Sequence, residues 1–330
     1  MDAGPDTGAR LRGHVAVGVD GSRRSGLALE EAVTQAGRRG VPLEVVHGRP
    51  WSVPPKGGPV GSGGWEDGTP DTAVHTRSPE EARELAEAAV ARVRELAPGL
   101  EVTASVVVED AADALVELSR RAALTVVGSR GLGGFRGLLL GSVSLRAAAH
   151  VVGPLMVVRG ELPPEHERVP RGTVLLGLEG EDDHAAVEAA FEEARTRDAA
   201  LTVLHAWIYH RLAPPGEPLM PTGPLRQDMA RIGRSEEVLV EQVLDPFRER
   251  YPEVTVRART VTGGAARLLV EASGEADVAV VAAHRGRGRA ALRLGPVVHS
   301  LLHHAHCPVL LVPAVRGGGG VGGVGGGGVR

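Results

Sequence analysis

Short apolar runs alternate with amphipathic stretches along the chain. In its first half, the stretches with helical periodicity lie at 25–39, 80–96, 110–122 and 142–150. The apolar runs between them lie near 14–19, 43–47, 101–108, 124–128 and 154–159. Continuous apolar strands separated by helices are typical of a parallel sheet covered on both faces. The pattern therefore predicts an α/β fold with a doubly wound, five-stranded parallel sheet.

The same pattern returns in the second half, with apolar runs near 173–178, 200–206, 254–261, 277–282 and 308–313. Residues 14–21 and 173–180 are both strand patterns that end in glycine beside an acid, and residues 123–131 match residues 278–286. This collinear repetition indicates a duplicated domain. We therefore predict a flexible N-terminus at 1–12, domains at 13–160 and 172–315, a linker at 161–171 and a disordered glycine-rich tail at 316–330.

Composition narrows the class of partner. Only 2% of the residues are aromatic, so the cores must be aliphatic, and a formal charge of −4 with a pI near 6.4 gives no general attraction to nucleic acid or anionic membrane. Cys307 is the single cysteine, which fits a reducing compartment. Residues 1–13 contain no apolar signal region, and no run approaches the ~20 apolar residues of a membrane span. A cytoplasmic protein without a nucleic-acid or membrane partner is expected.

A glycine-punctuated loop follows the fourth predicted strand. Its skeleton is Gly128-x2-Gly131-x9-Gly141-Ser142, and a helical segment comes after it. Glycines let a backbone approach an anion closely, and free N–H groups at a helix start attract negative charge. The loop therefore predicts a phosphate site, whereas the alternative is an ordinary flexible turn.

An acid ends the first predicted strand. In open α/β sheets a ligand lies beyond the carboxyl ends of the strands, where the winding direction reverses. If the first and fourth strands are neighbours there, Asp20 and Gly128 face one crevice, with the acid suited to ribose hydroxyls and the loop to phosphates. The alternative for Asp20 is a cap for the following helix.

These motifs, with Gly153-Pro154 before the last apolar run of the first copy, resemble the universal stress protein family over nearly the whole chain, as two tandem copies. The resemblance implies an adenine nucleotide alpha hydrolase-like fold with strand order 3-2-1-4-5 in each copy. It also implies ATP, or alternatively AMP or ADP, with Mg²⁺ as an accompanying ion, and a pseudo-dimer or homodimer made by pairing last strands. By the same likeness the nucleotide would contact ribose and base residues Gly18, Val19 and Asp20, adenine-facing Val46, and loop residues Val127, Gly128, Arg130, Gly131, Gly141, Ser142, Val143 and Ser144.

The second copy departs from that pattern. Glu179 replaces Asp20, Ala283 replaces Gly128, and Pro296 replaces Ser142, which removes a hydroxyl and a backbone N–H. The stretch between Gly286 and Gly295 is also one residue shorter than its counterpart. A degenerate site is therefore expected in the second copy.

Three functions remain open. The leading hypothesis is an ATP-binding stress sensor or regulator that acts on an unidentified protein partner through its first domain. A slow ATPase, or a protein that phosphorylates itself on Ser142 or Ser144, is the second, and a scaffold that binds no nucleotide is the third. No nucleophile with its base is evident, and the only lysine, Lys56, is not in a phosphate-loop motif. We therefore assign no catalytic residues.

Histidines gather near the end of the chain. His299 and His303 are spaced to share a helix face, with His304, His306 and Cys307 beside them. They precede Pro308, where histidines can meet free helix carbonyls, so a helix end is favoured over a zinc site and no metal ligand is assigned. His47 and His205 end equivalent strands and are interpreted as structural or rim residues.

Overall fold

The computed structural model describes residues 13–48, 78–131, 140–159, 169–209, 223–285 and 294–315. Within these ranges, no helix combines the length and apolar character needed to cross a membrane. In the first half the helices are α1 (Arg23–Arg39), α2 (Pro79–Leu96), α3 (Ala111–Leu118) and α4 (Ser142–His150). The strands are β1 (Val15–Gly18), β2 (Leu43–Gly48), β3 (Val102–Val107), β4 (Leu124–Gly128) and β5 (Leu155–Val158).

The second half repeats this order. Its helices are α5 (His184–Arg197), α6 (Gly223–Arg250), α7 (Ala265–Ala272) and α8 (Pro296–His304). Its strands are β6 (Thr173–Leu178), β7 (Ala200–Trp207), β8 (Val256–Thr262), β9 (Val278–Arg285) and β10 (Val309–Val315). All ten predicted strands are therefore confirmed, as is the α/β class.

Within the described residues, the ten strands form one sheet, in the order β3-β2-β1-β4-β5-β10-β9-β6-β7-β8. Each half has the expected order 3-2-1-4-5, and the two five-stranded sheets are continuous with each other. β5 and β10 pair antiparallel, with Val309 opposite Val157, and join the halves. A last strand left at an edge would expose a row of unpaired N–H and C=O groups, and this pairing covers both rows. The last strands thus pair within one chain, as the resemblance implied.

The antiparallel seam fixes where the two crevices lie. β1 and β4 are parallel neighbours, so their carboxyl ends meet at one edge of the sheet. Because β10 runs against β5, the carboxyl ends of the second half lie at the opposite edge. The start of β10, and with it the end of α8, therefore lies at the edge that holds the crevice of the first half.

Local sequence determines the helix ends. Ser22 caps α1 by accepting a hydrogen bond from the Ser25 N–H at 3.1 Å. Ser78 and Glu81 form a reciprocal capping box at the start of α2. α1 ends at Gly40, whose φ of 62° is left-handed and suits glycine.

A buried polar network joins α1 to α5. Glu193 of α5 contacts Arg39 and Gln35 of α1, and Arg197 of α5 lies 2.9 Å from Glu193 and 3.4 Å from Glu31. Glu31, Gln35 and Glu193 are each at most 1% exposed. The surrounding core contains aliphatic residues from both halves. The two halves therefore share an interior as well as a sheet.

The predicted flexible N-terminus (1–12) and glycine-rich tail (316–330) lie outside the described residues, as does most of the predicted linker (161–171). Arg171, at the end of that linker, donates its backbone N–H to Asp277 at 2.7 Å and its guanidinium to the Ala276 carbonyl at 2.9 Å. The chain is therefore anchored to the second half just before β6 begins.

Candidate nucleotide site

Asp20 and Gly131 face each other across the end of the sheet. A Cβ built on Gly131 would overlap Oδ2 of Asp20 and lie 3.3 Å from its Cγ. The other carboxylate oxygen of Asp20 accepts the Ser22 N–H at 2.9 Å. Asp20 is therefore not the cap of α1, because Ser22 is the N-cap residue. Asp20 instead stabilises the turn that precedes the helix. One carboxylate oxygen is held by the backbone and the other lies beside the glycine loop.

The turn after β1 depends on glycine. Gly21 has φ 83°, in the left-handed region that side chains disfavour. This turn carries the chain from β1 into α1 and places the Asp20 carboxylate within reach of the Ser22 N–H. The acid is thus positioned by backbone geometry.

Gly128 and Gly18 permit close packing. A Cβ on Gly128 would lie 2.8 Å from the Arg24 carbonyl oxygen, so the absence of a side chain lets β4 end against the first turn of α1. A Cβ on Gly18 would lie 3.1 Å from a methyl group of Leu115 on α3. These observations give both glycines a packing role at the base of the crevice.

The start of α4 closes the loop. Gly141 is its N-cap residue and makes no side-chain capping hydrogen bond, while its own N–H donates to the Ser129 carbonyl at 2.7 Å. A Cβ on Gly141 would lie 3.2 Å from the Cα of Arg130. Ser142 is exposed and Val143 half-buried. The first turn of α4 therefore lies directly against the residues that follow β4.

Ser144 is committed to the protein itself. Its hydroxyl donates to the Gly128 carbonyl at 2.6 Å, and the residue is 3% exposed. This bond ties the first turn of α4 to the end of β4. Ser144 is thus placed as a brace beneath the loop, whereas its neighbour Ser142 presents a hydroxyl to solvent.

We expect Ser144→Ala to lower the free energy of unfolding by about 1 kcal/mol, because one buried hydrogen bond is lost and the Gly128 carbonyl keeps no partner on that side. Urea denaturation measures this change. Ser142→Ala is the matched control and should alter stability by less than about 0.5 kcal/mol, as expected for an exposed position. Equal losses in the two variants would contradict the bracing role.

The hydrophobic members of the predicted site are largely interior residues. Val19, Val46 and Val127 are 7%, 2% and 3% exposed. The Val46 carbonyl accepts the Val19 N–H at 2.9 Å, and His47 bonds through Nδ1 to the Val19 carbonyl at 2.8 Å. His47 thus ties the ends of β1 and β2, which is a structural arrangement. Arg130 is half-buried beside Gly131, and residues 132–139 of the loop lie outside the described part.

The second half has a buried carboxylate, that of Asp183, at the position where the first half has Arg24. Asp183 is 1% exposed, and its Oδ2 accepts the Glu179 N–H at 2.6 Å. Its Oδ1 lies 2.8 Å from Nε2 of His284, which in turn lies 3.4 Å from Glu179. Asp183 and His284 correspond to Arg24 and Ser129, and both were missed at the sequence level. The acidic run 181–183 was the available signal for this difference.

The histidines near the end of the chain were considered above as metal ligands. The His299 and His303 rings lie 4.2 Å apart on α8. Burial raises the pKa of the Cys307 thiol to about 12, so it is protonated at neutral pH and is a poor ligand there. Across the described ranges, no three His, Cys, Asp or Glu residues are grouped so as to hold a metal ion.

Comparison with known proteins decides the family. The model of the universal stress protein family matches residues 12–159 and again residues 170–313. The chain belongs to the universal stress protein family. A universal stress protein of Mycolicibacterium smegmatis is 32% identical over 303 residues, covering 90% of this chain and 96% of that protein. One from Mycobacterium tuberculosis is 32% identical over 304 residues, with 90% and 96% covered.

Solved structures agree on the universal stress protein fold. A universal stress protein from Archaeoglobus fulgidus has a TM-score of 0.57 at 17% identity, covering 91% of this chain and 98% of its own. A functionally unknown protein from Pseudomonas aeruginosa has a TM-score of 0.57 at 14% identity, covering 93% and 94%. At these identities the likeness supports the two-domain fold alone.

Proposed function

We propose that the first half binds ATP and that this chain acts as a nucleotide-dependent regulator in a stress response. The observation that carries the proposal is the placement of the Asp20 carboxylate directly against Gly131, beside the uncapped start of α4. A hydrogen-bond acceptor and a set of backbone donors thus share one crevice at the switch point between β1 and β4. That combination suits a ligand with hydroxyls at one end and phosphates at the other.

Each part of the crevice has a chemical use. Asp20 can accept hydrogen bonds from ribose hydroxyls. The N–H groups of the first turn of α4, together with Arg130, suit phosphate oxygens. A Cβ at Gly131 would obstruct the crevice, which explains why glycine stands there. ATP fits these groups, and AMP or ADP would use fewer of them. Mg²⁺ would accompany the phosphates.

The second half supports the first without a nucleotide of its own. Asp183 accepts the backbone N–H of Glu179, and the Asp183 carboxylate is buried beside His284. This carboxylate would repel phosphates. Pro296 at the first turn of α8 also lacks an N–H to offer. We therefore propose one nucleotide per chain, bound in the first of the two domains.

We expect Asp20→Ala to weaken ATP binding by roughly 10- to 150-fold, because a hydrogen bond with a charged group contributes about 1.5–3 kcal/mol. Calorimetric titration with ATP and Mg²⁺ measures the change. Glu179→Ala is the matched control, since Glu179 holds the same place in the second half and is 65% exposed. Unchanged affinity in Asp20→Ala would remove Asp20 from the site, and a large loss in Glu179→Ala would reveal a second one.

A self-phosphorylating protein is the second candidate, favoured by the exposed hydroxyl of Ser142 at the start of α4. Ser144 is a poor acceptor, because its hydroxyl is buried against Gly128. Incubation with ATP and mass measurement tests this directly. A gain of one phosphate that Ser142→Ala abolishes would support it, and an unchanged mass would leave binding as the activity.

A further inference from the structure

The seam between the halves brings α8 to the edge that holds the crevice of the first half. Ser129 donates its N–H to the Val158 carbonyl at 2.7 Å, so the ends of β4 and β5 are tied together. Arg159 follows β5, is 8% exposed, and donates through Nη1 to the Leu302 carbonyl of α8 at 3.1 Å. The last turn of α8 therefore lies beside the residues that begin the glycine loop.

That last turn carries imidazoles. The rings of His303 and His304 are 6.1 Å apart, and the ring of His299 lies 4.2 Å from that of His303. His299 and His304 are exposed and His303 is half-buried. These side chains lie at the carboxyl end of α8, where the helix carbonyls point. Histidine is the side-chain type that carries either a neutral or a charged ring near neutral pH, so this turn can offer a charge-dependent contact to an anion.

The basic groups act on one another across the seam. Burial lowers the pKa of His303, and His299, His304, Arg159 and Arg130 lower it further. Arg130 precedes Gly131 in the first half, so His303 lies within electrostatic reach of the proposed phosphate side. On α7, which also packs against α8, Arg267 and Glu271 pair with each other at 2.7 Å.

We propose that His303 and His304 of the second half complete the phosphate side of the first-half crevice, and that their protonation strengthens the binding of a nucleoside triphosphate. The proposal rests on the proposed function. The two histidines would contact the terminal phosphates of the nucleotide, which extend furthest from the ribose and carry most of the negative charge. Placing a polyanion beside two imidazoles favours their charged form, so binding takes up protons and affinity rises as the pH falls.

The opposite edge supplies a matched comparison. His150 ends α4 in the first half, as His304 ends α8 in the second. The crevice at that edge holds the Asp183 carboxylate beside His284 and is ill suited to phosphate. His150→Gln therefore removes an imidazole of the same type and helix position without touching the proposed phosphate side.

The test is the dissociation constant of ATP and of AMP at pH 5.8 and pH 7.5, for the unaltered full chain, His303→Gln/His304→Gln and His150→Gln. Uptake of one proton on binding changes the affinity about tenfold per pH unit, so partial uptake over this interval should make ATP bind roughly 5- to 10-fold more tightly at pH 5.8. The double variant should lose this gain, His150→Gln should keep it, and AMP should change by less than about twofold. ATP itself also titrates in this range, but equally in every sample, so its contribution cancels when the affinities of two variants are compared at the same pH.

Equal pH ratios for ATP in the double variant and the unaltered chain would overturn the role of these histidines while leaving nucleotide binding intact. An absence of ATP binding by the unaltered chain at both pH values would overturn the proposed function and this inference together. If the double variant does not fold, the unaltered chain still tests the proposal by NMR. The histidine signals should show a raised pKa of His303 on addition of ATP. An unchanged pKa would contradict the contact.

Discussion

Gly131→Ala should reduce ATP affinity by about 100-fold or more. The new Cβ would overlap Oδ2 of Asp20, and the carboxylate cannot turn aside freely, because its other oxygen accepts the Ser22 N–H at 2.9 Å. The substitution therefore displaces the proposed ribose acceptor and also fills space through which the phosphates would approach the backbone of the loop. Losing two interactions of about 1.5 kcal/mol each accounts for the expected factor.

A matched control separates this clash from a general effect of alanine. Gly180 follows Glu179 in the second half as Gly21 follows Asp20, and a Cβ built there meets nothing within 4 Å. Its φ of 175° is extended backbone that alanine also adopts. Gly180→Ala should bind ATP like the unaltered chain in the same calorimetric titration. Full ATP binding by Gly131→Ala would show that the phosphate loop lies elsewhere.

Glu193→Ala should lower the free energy of unfolding by about 3–5 kcal/mol, the usual cost of removing one partner from a buried ion pair. Glu193 is 1% exposed and contacts Arg39 of the first half and Arg197 of its own helix. Its loss leaves these two guanidiniums inside the shared core, with Glu31 as the remaining carboxylate near Arg197. Urea denaturation measures the change.

Arg195→Ala is the control on the same helix. Arg195 pairs with Glu192 at 2.7 Å on the surface, where such pairs contribute about 0–1 kcal/mol. The two substitutions remove charges two residues apart, so burial is the main difference between them. A loss below about 1 kcal/mol in Glu193→Ala would contradict a stabilising network between the halves.

The same carboxylate gives the network a pH dependence. Burial disfavours its charge, but Arg39 and Arg197 outweigh burial and lower the pKa of Glu193 below its ordinary value of 4.5. A carboxyl group with a lowered pKa contributes stability that is fully present above its unfolded pKa and is lost as the pH falls through its folded pKa. The stability difference between the unaltered chain and Glu193→Ala should therefore be constant from pH 6 to 8 and shrink in acid below about pH 4.

The fold could be predicted closely because its signals are local. Each strand is a short apolar run between helical stretches, and the repeat supplies a second instance of every element. The convergence of Asp20 and Gly131 was also accessible, since it follows from the order of β1 and β4 in a doubly wound sheet. Duplication and strand order together predict the end of the sheet at which a ligand would bind.

The rest needed contacts between distant residues. Glu31, Gln35 and Glu193 look like members of solvated helix faces, and only the packing of α1 on α5 shows them as buried. The commitment of the Ser144 hydroxyl to Gly128 depends on the angle at which α4 starts. Asp183 and His284 lie 101 positions apart and meet only at the end of the second-half sheet. Polar contacts between distant residues leave no periodic pattern in the sequence, so a single sequence does not reveal them.

We propose that the two domains are asymmetric, with one nucleotide site in the first. Native mass spectrometry of the full chain in excess ATP and Mg²⁺ counts bound nucleotides directly. We predict one ATP per chain in the unaltered protein, a markedly reduced bound fraction in Gly131→Ala, and one in Glu179→Ala. Two nucleotides per chain, or a single one that is retained in Gly131→Ala and lost in Glu179→Ala, would contradict the account.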